Sequence, residues 1–130
     1  MKYFKKVTLI LVLVLSNQYL QSQNSNKSII GKWKDIKLPY KYSFTKTTGT
    51  FTQSGYPVFV SYQIDSAKTP MWIDFTIKQG RTIVIPGLMK WKGKDTLWIQ
   101  QFPPYSKHPI KFDADSISDS RKIHILVRQK

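Results

Sequence analysis

The sequence predicts an all-β fold: a small antiparallel barrel of about eight or nine strands behind an N-terminal signal peptide. Residues that favour helices are scarce, because the 130-residue chain has no glutamate and few alanines. Isoleucine, valine, threonine and aromatic residues recur instead, in short alternating runs separated by turn-forming residues at a spacing of about 8–12 residues. Short hairpin connections favour a meander that closes on itself, since closure removes exposed sheet edges.

The first 22 residues have the organisation of a secretory signal peptide. Three lysines within the first six residues precede an apolar run at 7–15, and polar residues follow it. This run is about half of the roughly 20 residues that a membrane-spanning helix needs. Ser22 is the best cleavage point. We therefore expect one domain at 23–130, secreted or periplasmic, with no transmembrane anchor after cleavage.

The chain is strongly basic and contains no cysteine. It has 21 Lys and Arg against 7 acidic residues, which gives a formal net charge of +14. The absence of cysteine excludes disulfides, thiolate metal sites and cysteine nucleophiles. All basic residues except Arg81, Arg121 and Arg128 are lysines. Lysine suits diffuse contact with a polyanionic surface better than bidentate recognition of one phosphate.

Five strands are predicted in the first half of the domain, at 29–37, 40–46, 50–53, 58–65 and 71–78. The second and third are joined by a turn at 47–49 and form a hairpin. Alternation of apolar and polar residues predicts which side chains of these strands face the interior: Tyr40, Tyr42, Phe44, Ile73, Phe75 and Ile77.

The second half is predicted to contain strands at 82–85, 88–92, 96–102, 110–112 and 121–128. Pro86-Gly87 separates the first two, and a proline-rich loop at 103–109 precedes the fourth. In the last strand the apolar residues alternate with charged ones. This pattern predicts that Ile123, Ile125 and Val127 face inward, and that His124 faces outward between Lys122 and Arg128.

Several short motifs carry a resemblance that covers most of the domain. Gly31-Lys32-Trp33 resembles the Gly-x-Trp motif of lipocalin-like barrels. The stretch 65–74, with its Asp, Lys, Pro and Ile-Asp, is followed by Pro86-Gly87, by Gly-Lys-Asp-Thr-Leu at 93–97 and by a proline-rich loop. Together they resemble the small lipocalin-like β-barrel domain family of exported bacterial proteins, first described as a planctomycete repeat-bearing domain.

The resemblance implies a lipocalin-like barrel at 23–130 and an exported location. It also implies that Trp33 closes one end of the barrel. The family has no established activity, so the resemblance implies no mechanism. The chain has His108-Pro109 where the family commonly has Arg-Pro, and Gly87-Leu88-Met89 where the family usually has Gly-Ile-Tyr.

No pattern of catalytic residues stands out in the chain. His108 and His124 have no second histidine or carboxylate at metal-ligand spacing. No Gly-x-Ser-x-Gly motif or glycine-rich phosphate loop is present, and no two aspartates form a convincing hydrolytic pair. We therefore expect a protein that is not an enzyme and that uses no cofactor and no metal. Asp74, inside a strand, is expected to face outward and to pair with a cross-strand lysine.

The tryptophans suggest a ligand site, and the lysines suggest a docking surface. The predicted ligand-binding residues are Trp33, Trp72, Asp74, Trp91 and Trp98. The predicted basic surface consists of Lys90, Lys92, Lys94, Lys107 and Lys111. If Trp72 and Trp98 are exposed, they would form a basic aromatic surface together with Tyr62; if they are buried, they line a core or a cavity.

These observations lead to two expected functions, and a hydrolase is a third that is ranked last. The first is an exported lipocalin-like binding protein for a small apolar or amphipathic ligand. The alternative is a filled barrel that acts as an interaction module, whose basic surface docks on an anionic cell-envelope polymer or on a partner protein. Large inward side chains favour the filled barrel. Nucleic acid is not an expected partner.

Overall fold

The computed structural model describes residues 27–130, so the predicted signal peptide lies outside the described residues. These residues form nine β-strands and one short 3₁₀ turn at Asp119–Arg121. The strands are β1 (Gly31–Asp35), β2 (Tyr40–Phe44), β3 (Thr48–Gln53), β4 (Tyr56–Asp65), β5 (Met71–Gln79), β6 (Arg81–Ile85), β7 (Gly87–Trp91), β8 (Thr96–Gln101) and β9 (His124–Arg128).

Eight of the strands close into an antiparallel barrel. The order around the ring is β1, β2, β3, β4, β5, β7, β8 and β9, and β9 pairs with β1 to close it. The additional strand, β6, pairs with the second half of β5, whereas β7 pairs with its first half. Pro86, which has no N–H to donate, separates β6 from β7. The predicted all-β barrel is confirmed.

The interior is packed with side chains from all sides of the ring. The inward residues predicted on β2 and β5 are all buried. Tyr42 is central among them, with its ring centroid 5.8 Å from Phe44, 5.9 Å from Phe51 and 6.4 Å from Phe75. These large rings occupy the middle of the barrel, so its apolar surface is buried against its own side chains.

Trp33 closes one end of the barrel. Its side chain is 1% exposed, and its Nε1 donates to the carbonyl of Ile29 at 2.8 Å. The guanidinium carbon of Arg128 lies 4.3 Å from the centroid of the indole ring. Arg128 also donates to the carbonyls of Ser28 and Ile30, which ties the segment before β1 across this end.

The last strand has the opposite phase to the one predicted. His124 and Leu126 are fully buried, while Val127 is exposed. Either of two alternating sets of side chains in this strand could face the interior, and the pairing of β9 with β1 decides which set does. The Ile125 N–H donates to the carboxylate of Asp35 at 3.1 Å, which turns the Ile125 side chain outward and brings the flanking His124 inward.

The predicted strand at 110–112 is not formed. Residues 102–123 instead make a long connection from β8 to β9, interrupted by the 3₁₀ turn. Because β8 is already paired with β7 and β9, it offers no free edge to the residues that follow it. We call residues 102–123 the outer connection, since its first part packs against the outer face of the barrel, while the 3₁₀ turn near its end contacts the buried His124.

Candidate functional site

The structure separates the five predicted ligand-binding residues into an inner and an outer group. Trp33 and Trp91 lie at the closed end, with ring centroids 5.9 Å apart. Trp72, Asp74 and Trp98 point away from the core, because they alternate with buried neighbours on β5 and β8. The two groups lie on opposite sides of the sheet, so these residues do not form one site.

The outer group holds the outer connection in place. His108 stacks on Trp72, and its Nε2 lies 2.5 Å from Oδ1 of Asp74. Phe112 contacts the ring of Trp98 edge-on, with centroids 5.8 Å apart. The expected outward orientation of Asp74 is correct, but its partner is His108 and not a cross-strand lysine. The outer connection supplies that partner from a distant part of the chain.

Gln100 anchors the same connection with three hydrogen bonds. Its amide nitrogen donates to the carbonyls of Asp113 and Arg121 at 2.7 and 2.8 Å. Its amide oxygen accepts from the Asp113 N–H at 2.8 Å. Because Gln100 is fully buried, these bonds replace water contacts that the amide has lost. The outer connection is therefore a fixed part of the surface.

The outer tryptophans are covered by side chains of this protein. Lys68 Nζ lies 4.6 Å from the ring centroid of Trp72, which also carries His108. Lys92 Nζ lies 4.3 Å from the centroid of Trp98. Tyr62 does not join them, because it packs edge-on against Phe44 on the inner side. The basic aromatic surface considered from the sequence is therefore not assembled for stacking a ligand.

Tyr42, Gln101 and His124 form a network of hydrogen-bonded side chains in the barrel interior. Tyr42 Oη lies 2.7 Å from Nδ1 of His124 and accepts from Nε2 of Gln101 at 2.9 Å. His124 Nε2 lies 2.9 Å from the carbonyl of Asp119. Since a carbonyl only accepts, Nε2 carries the proton and Nδ1 accepts from the Tyr42 hydroxyl. Both nitrogens of the neutral imidazole are thus satisfied.

Burial sets the protonation states in this network. Desolvation lowers the pKa of His124, and it outweighs the opposing effects of the Asp119 carbonyl and the nearby carboxylates. Burial also raises the pKa of the Tyr42 phenol. Tyr40 stacks on His124 with centroids 4.2 Å apart, and its buried hydroxyl has no hydrogen-bond partner among residues 27–130.

Sequence reasoning missed this network, since it placed His124 outside and did not single out Tyr42 or Gln101. The available signal was the pair of amides, Gln100 and Gln101, inside an otherwise apolar strand. A buried amide requires partners, so such a pair indicates polar contacts on both faces of the strand. The inner amide bonds to Tyr42, and the outer one bonds to the outer connection.

On the outer surface of the barrel, four lysines project from three of five neighbouring strands of the ring. In ring order these strands are β2, β1, β9, β8 and β7, and their outward lysines are Lys32, Lys34, Lys41 and Lys90. Lys34 and Lys41 lie directly opposite each other on paired strands. No outward position of these five strands carries a carboxylate, because Asp35 points inward. We call this surface the lysine face.

The predicted basic residues are all exposed and border this face. Lys90 is part of it, and Lys92 follows the end of β7. Lys94 lies in the turn between β7 and β8, while Lys107 and Lys111 lie on the outer connection. The predicted lysines thus surround the β7 and β8 side of the lysine face, and Lys34 and Lys41 extend it further across the barrel.

Comparison with protein-family models, curated proteins and solved structures finds no match for this chain. Among the described residues, no group of three or more metal-binding side chains comes together. Within the same residues no helix has the length and apolar character needed to cross a membrane.

Proposed function

We propose that this protein is an exported, non-catalytic docking module whose lysine face binds a polyanionic surface of the cell envelope. One observation carries the proposal: the outward lysines of β1, β2 and β7 lie on one side of the barrel, and no outward position of β2, β1, β9, β8 or β7 carries a carboxylate. Packing of the interior around Tyr42 supports it further, because the surface that a partner reaches is then the outside.

Among residues 27–130, the lysines of the lysine face form no ion pairs. The ion pairs of the described chain join Asp74 to His108, Asp119 to Lys122 and Asp95 to Arg128. Asp35 is buried and accepts from backbone N–H groups. Like charges directly opposite on a sheet destabilise it, so a pair such as Lys34 and Lys41 is retained at a cost. An anionic partner offsets that cost.

Lysine also suits this role chemically. Its ammonium group is a compact, hydrated charge on a flexible stem, which adapts to anions at varying positions. A face of such charges attracts a polyanion over a distance and accelerates the encounter, in a manner that salt screens. The apolar run with its preceding lysines at the N-terminus supports export, which would bring this face to the envelope.

A small ligand inside the barrel is the second candidate function. One observation favours it: the buried Tyr40 hydroxyl has no partner among residues 27–130, beside a network that includes His124. Native mass spectrometry of the exported protein tests this candidate. A reproducible adduct of small-molecule mass that is lost on denaturation would replace the docking proposal with a carrier function. A bare chain mass would support docking.

Salt-dependent retention on a phosphate-bearing cation-exchange matrix tests the docking proposal. The test variant is Lys34→Gln/Lys41→Gln/Lys90→Gln on the lysine face. The matched control, Lys46→Gln/Lys78→Gln/Arg81→Gln, removes the same charge at exposed positions elsewhere. Thermal unfolding of both variants checks that each remains folded.

We expect the lysine-face variant to elute at clearly lower salt than the matched control, since the two proteins carry the same net charge. The wild-type protein should require the highest salt. Identical elution of the two variants would overturn the proposal, because retention would then reflect total charge and no particular face.

A further inference from the structure

We infer that the polyanionic surface is an anionic lipid bilayer, and that Ile110 and Ile117 of the outer connection enter its interface. This inference rests on the proposed function and names its partner. It follows from exposed aliphatic side chains near the lysines. A partner that offers only negative charge makes no favourable contact with these aliphatic side chains.

The two isoleucines are almost completely exposed to solvent. Ile110 is 89% exposed and Ile117 is 95% exposed. A single exposed aliphatic residue is ordinary on a protein surface. Here, however, two of them project from one connection of the chain, Ile110 between Lys107 and Lys111, and Ile117 between Asp115 and the ion pair of Asp119 with Lys122. Apolar side chains that project between basic ones are typical of peptides and proteins that lie in a membrane interface.

The outer connection presents these side chains from a fixed position. His108 is stacked on Trp72 before Ile110, and Phe112 packs on Trp98 after it. Ile117 lies between Asp113, whose backbone binds Gln100, and the 3₁₀ turn, whose Asp119 carbonyl binds His124. Because both isoleucines project from a segment already held in place, insertion would cost little ordering of the backbone.

Ile110 lies on the same side of the barrel as the lysines. Ile110 lies between contacts to β5 and to β8, hence over β7, the strand that carries Lys90. Ile117 follows the contact of Asp113 with the outward Gln100 of β8 and precedes the contact of Asp119 with the inward His124 of β9, so it lies where the connection leaves the outer face. Ile36 and Val127, at the end of β1 and on β9, are also exposed on this side. Ile110, Ile36 and Val127 are therefore interspersed with lysines over one surface.

A bilayer matches both components of this surface, whereas a soluble polymer matches only one. Anionic headgroups attract lysines near the membrane surface, and the adjoining acyl boundary accepts apolar side chains. A hydrated polyanion offers charge but no apolar phase, so it would leave Ile110 and Ile117 in water. The distribution of residues thus favours a lipid surface over a polymer.

The opposite side of the barrel supplies a matched control. Tyr56 and Phe59 on β4 are also exposed, and β4 lies across the ring from β9. The test variant is Ile110→Ser/Ile117→Ser, and the control is Tyr56→Ser/Phe59→Ser. Each variant removes two exposed apolar side chains and no charge.

The experiment is vesicle co-sedimentation of the exported protein, with intact mass confirming the same N-terminus in every variant. One set of vesicles contains phosphatidylcholine alone, and the other contains phosphatidylcholine and phosphatidylglycerol in equal amounts. We expect wild-type protein and the β4 control to bind the anionic vesicles. Binding by Ile110→Ser/Ile117→Ser should fall about tenfold, because two aliphatic side chains lose their burial. Its elution from the phosphate matrix should match that of the wild type.

The two proposals fail in different ways. Equal vesicle binding by the isoleucine variant and the wild type would overturn the lipid inference, as would a wild type that is retained on the matrix but ignores anionic vesicles. The second result would indicate a polymer and leave the docking proposal intact. Failure of the docking proposal itself appears either as equal elution of the lysine-face variant and its matched control, or as a bound small molecule in native mass spectrometry.

Discussion

His108 lies face to face on Trp72, with ring centroids 3.8 Å apart and ring planes 5° from parallel. Its Nε2 reaches the carboxylate of Asp74, two residues further along β5. A single side chain of the outer connection thus contacts two outward residues of one strand. Stacking restricts the orientation of the imidazole, and the hydrogen bond fixes its rotation, so together they define where the outer connection crosses the barrel.

Replacing His108 should loosen the outer connection. His108→Ala removes both the stacking on Trp72 and the contact with Asp74, and we expect a loss of about 1–2 kcal/mol in the free energy of unfolding. Urea denaturation measures the loss, and limited proteolysis should show faster cleavage within 102–123. Lys107→Ala, at an exposed neighbouring position, serves as the control. Equal proteolysis of the two variants would contradict a clamping role for His108.

Removing the hydroxyl of Tyr42 should be costly. Tyr42→Phe leaves His124 Nδ1 without its donor and the Gln101 amide without its acceptor, both inside the barrel. We expect a loss of about 1–3 kcal/mol in the free energy of unfolding, the usual penalty for unsatisfied buried groups. Tyr56→Phe, at a side chain that is 78% exposed, should change stability by less than about 0.5 kcal/mol. Similar losses in both variants would contradict the network.

The buried imidazole of His124 should make stability depend on pH. Burial lowers the pKa of His124 below the usual histidine value of about 6.5, so the unfolded chain binds a proton at a pH where the folded chain does not. Stability is therefore complete above about pH 6.5 and falls as the pH decreases from there toward the lower folded-state pKa.

Urea denaturation across this pH range, for wild type and His124→Gln, measures the contribution of His124. The variant removes the titrating group, so its stability should change less between pH 7 and pH 5 than that of the wild type. Replacing exposed Lys130 with Gln leaves the imidazole in place and should retain the wild-type dependence. An unchanged pH dependence in His124→Gln would show that other groups are responsible.

Gly87 should tolerate no side chain. A Cβ at this position would lie 2.7 Å from the carbonyl oxygen of Ile73 and 3.0 Å from that of Gln100. Both are backbone atoms of neighbouring strands, so Gly87→Ala should separate β7 from β5 or β8 and destabilise the fold by about 1–3 kcal/mol. Gly93→Ala is the matched control, because a Cβ there meets no atom within 4 Å. Thermal unfolding compares the two, and equal melting temperatures would contradict the close approach at Gly87.

Much of the fold was predictable because inner and outer side chains alternate clearly on several strands. On β2, the aromatics Tyr40, Tyr42 and Phe44 alternate with Lys41 and Ser43, and only one phase buries the apolar set. The same holds for Ile73, Phe75 and Ile77 on β5. On β9 the alternation predicts the wrong phase, because the more apolar set, with Ile125 and Val127, faces outward, while His124 and Leu126 face inward. The hydrogen bond from Ile125 to Asp35 decides the phase there.

The candidate site was less predictable, because its parts come from distant positions in the chain. Lys34 and Lys41 are neighbours through pairing of β1 with β2, but Lys90 joins them only after the ring closes through β8 and β9. Asp74 and His108 are separated by 34 residues, and the path of the outer connection brings them together. No local pattern in the sequence encodes that path.

The sequence by itself determined that this protein is all-β, basic and free of cysteine chemistry, since composition and period-two alternation depend on each residue and its neighbours. It also determined most of the strands and the inward set on β2 and β5. Only the tertiary structure decided that His124 lies inside, that the tryptophans divide between the two sides of the sheet, and that the lysines of β1, β2 and β7 lie on one side of the barrel. These features depend on strand register, ring closure and the outer connection, which are relations between segments far apart in the chain.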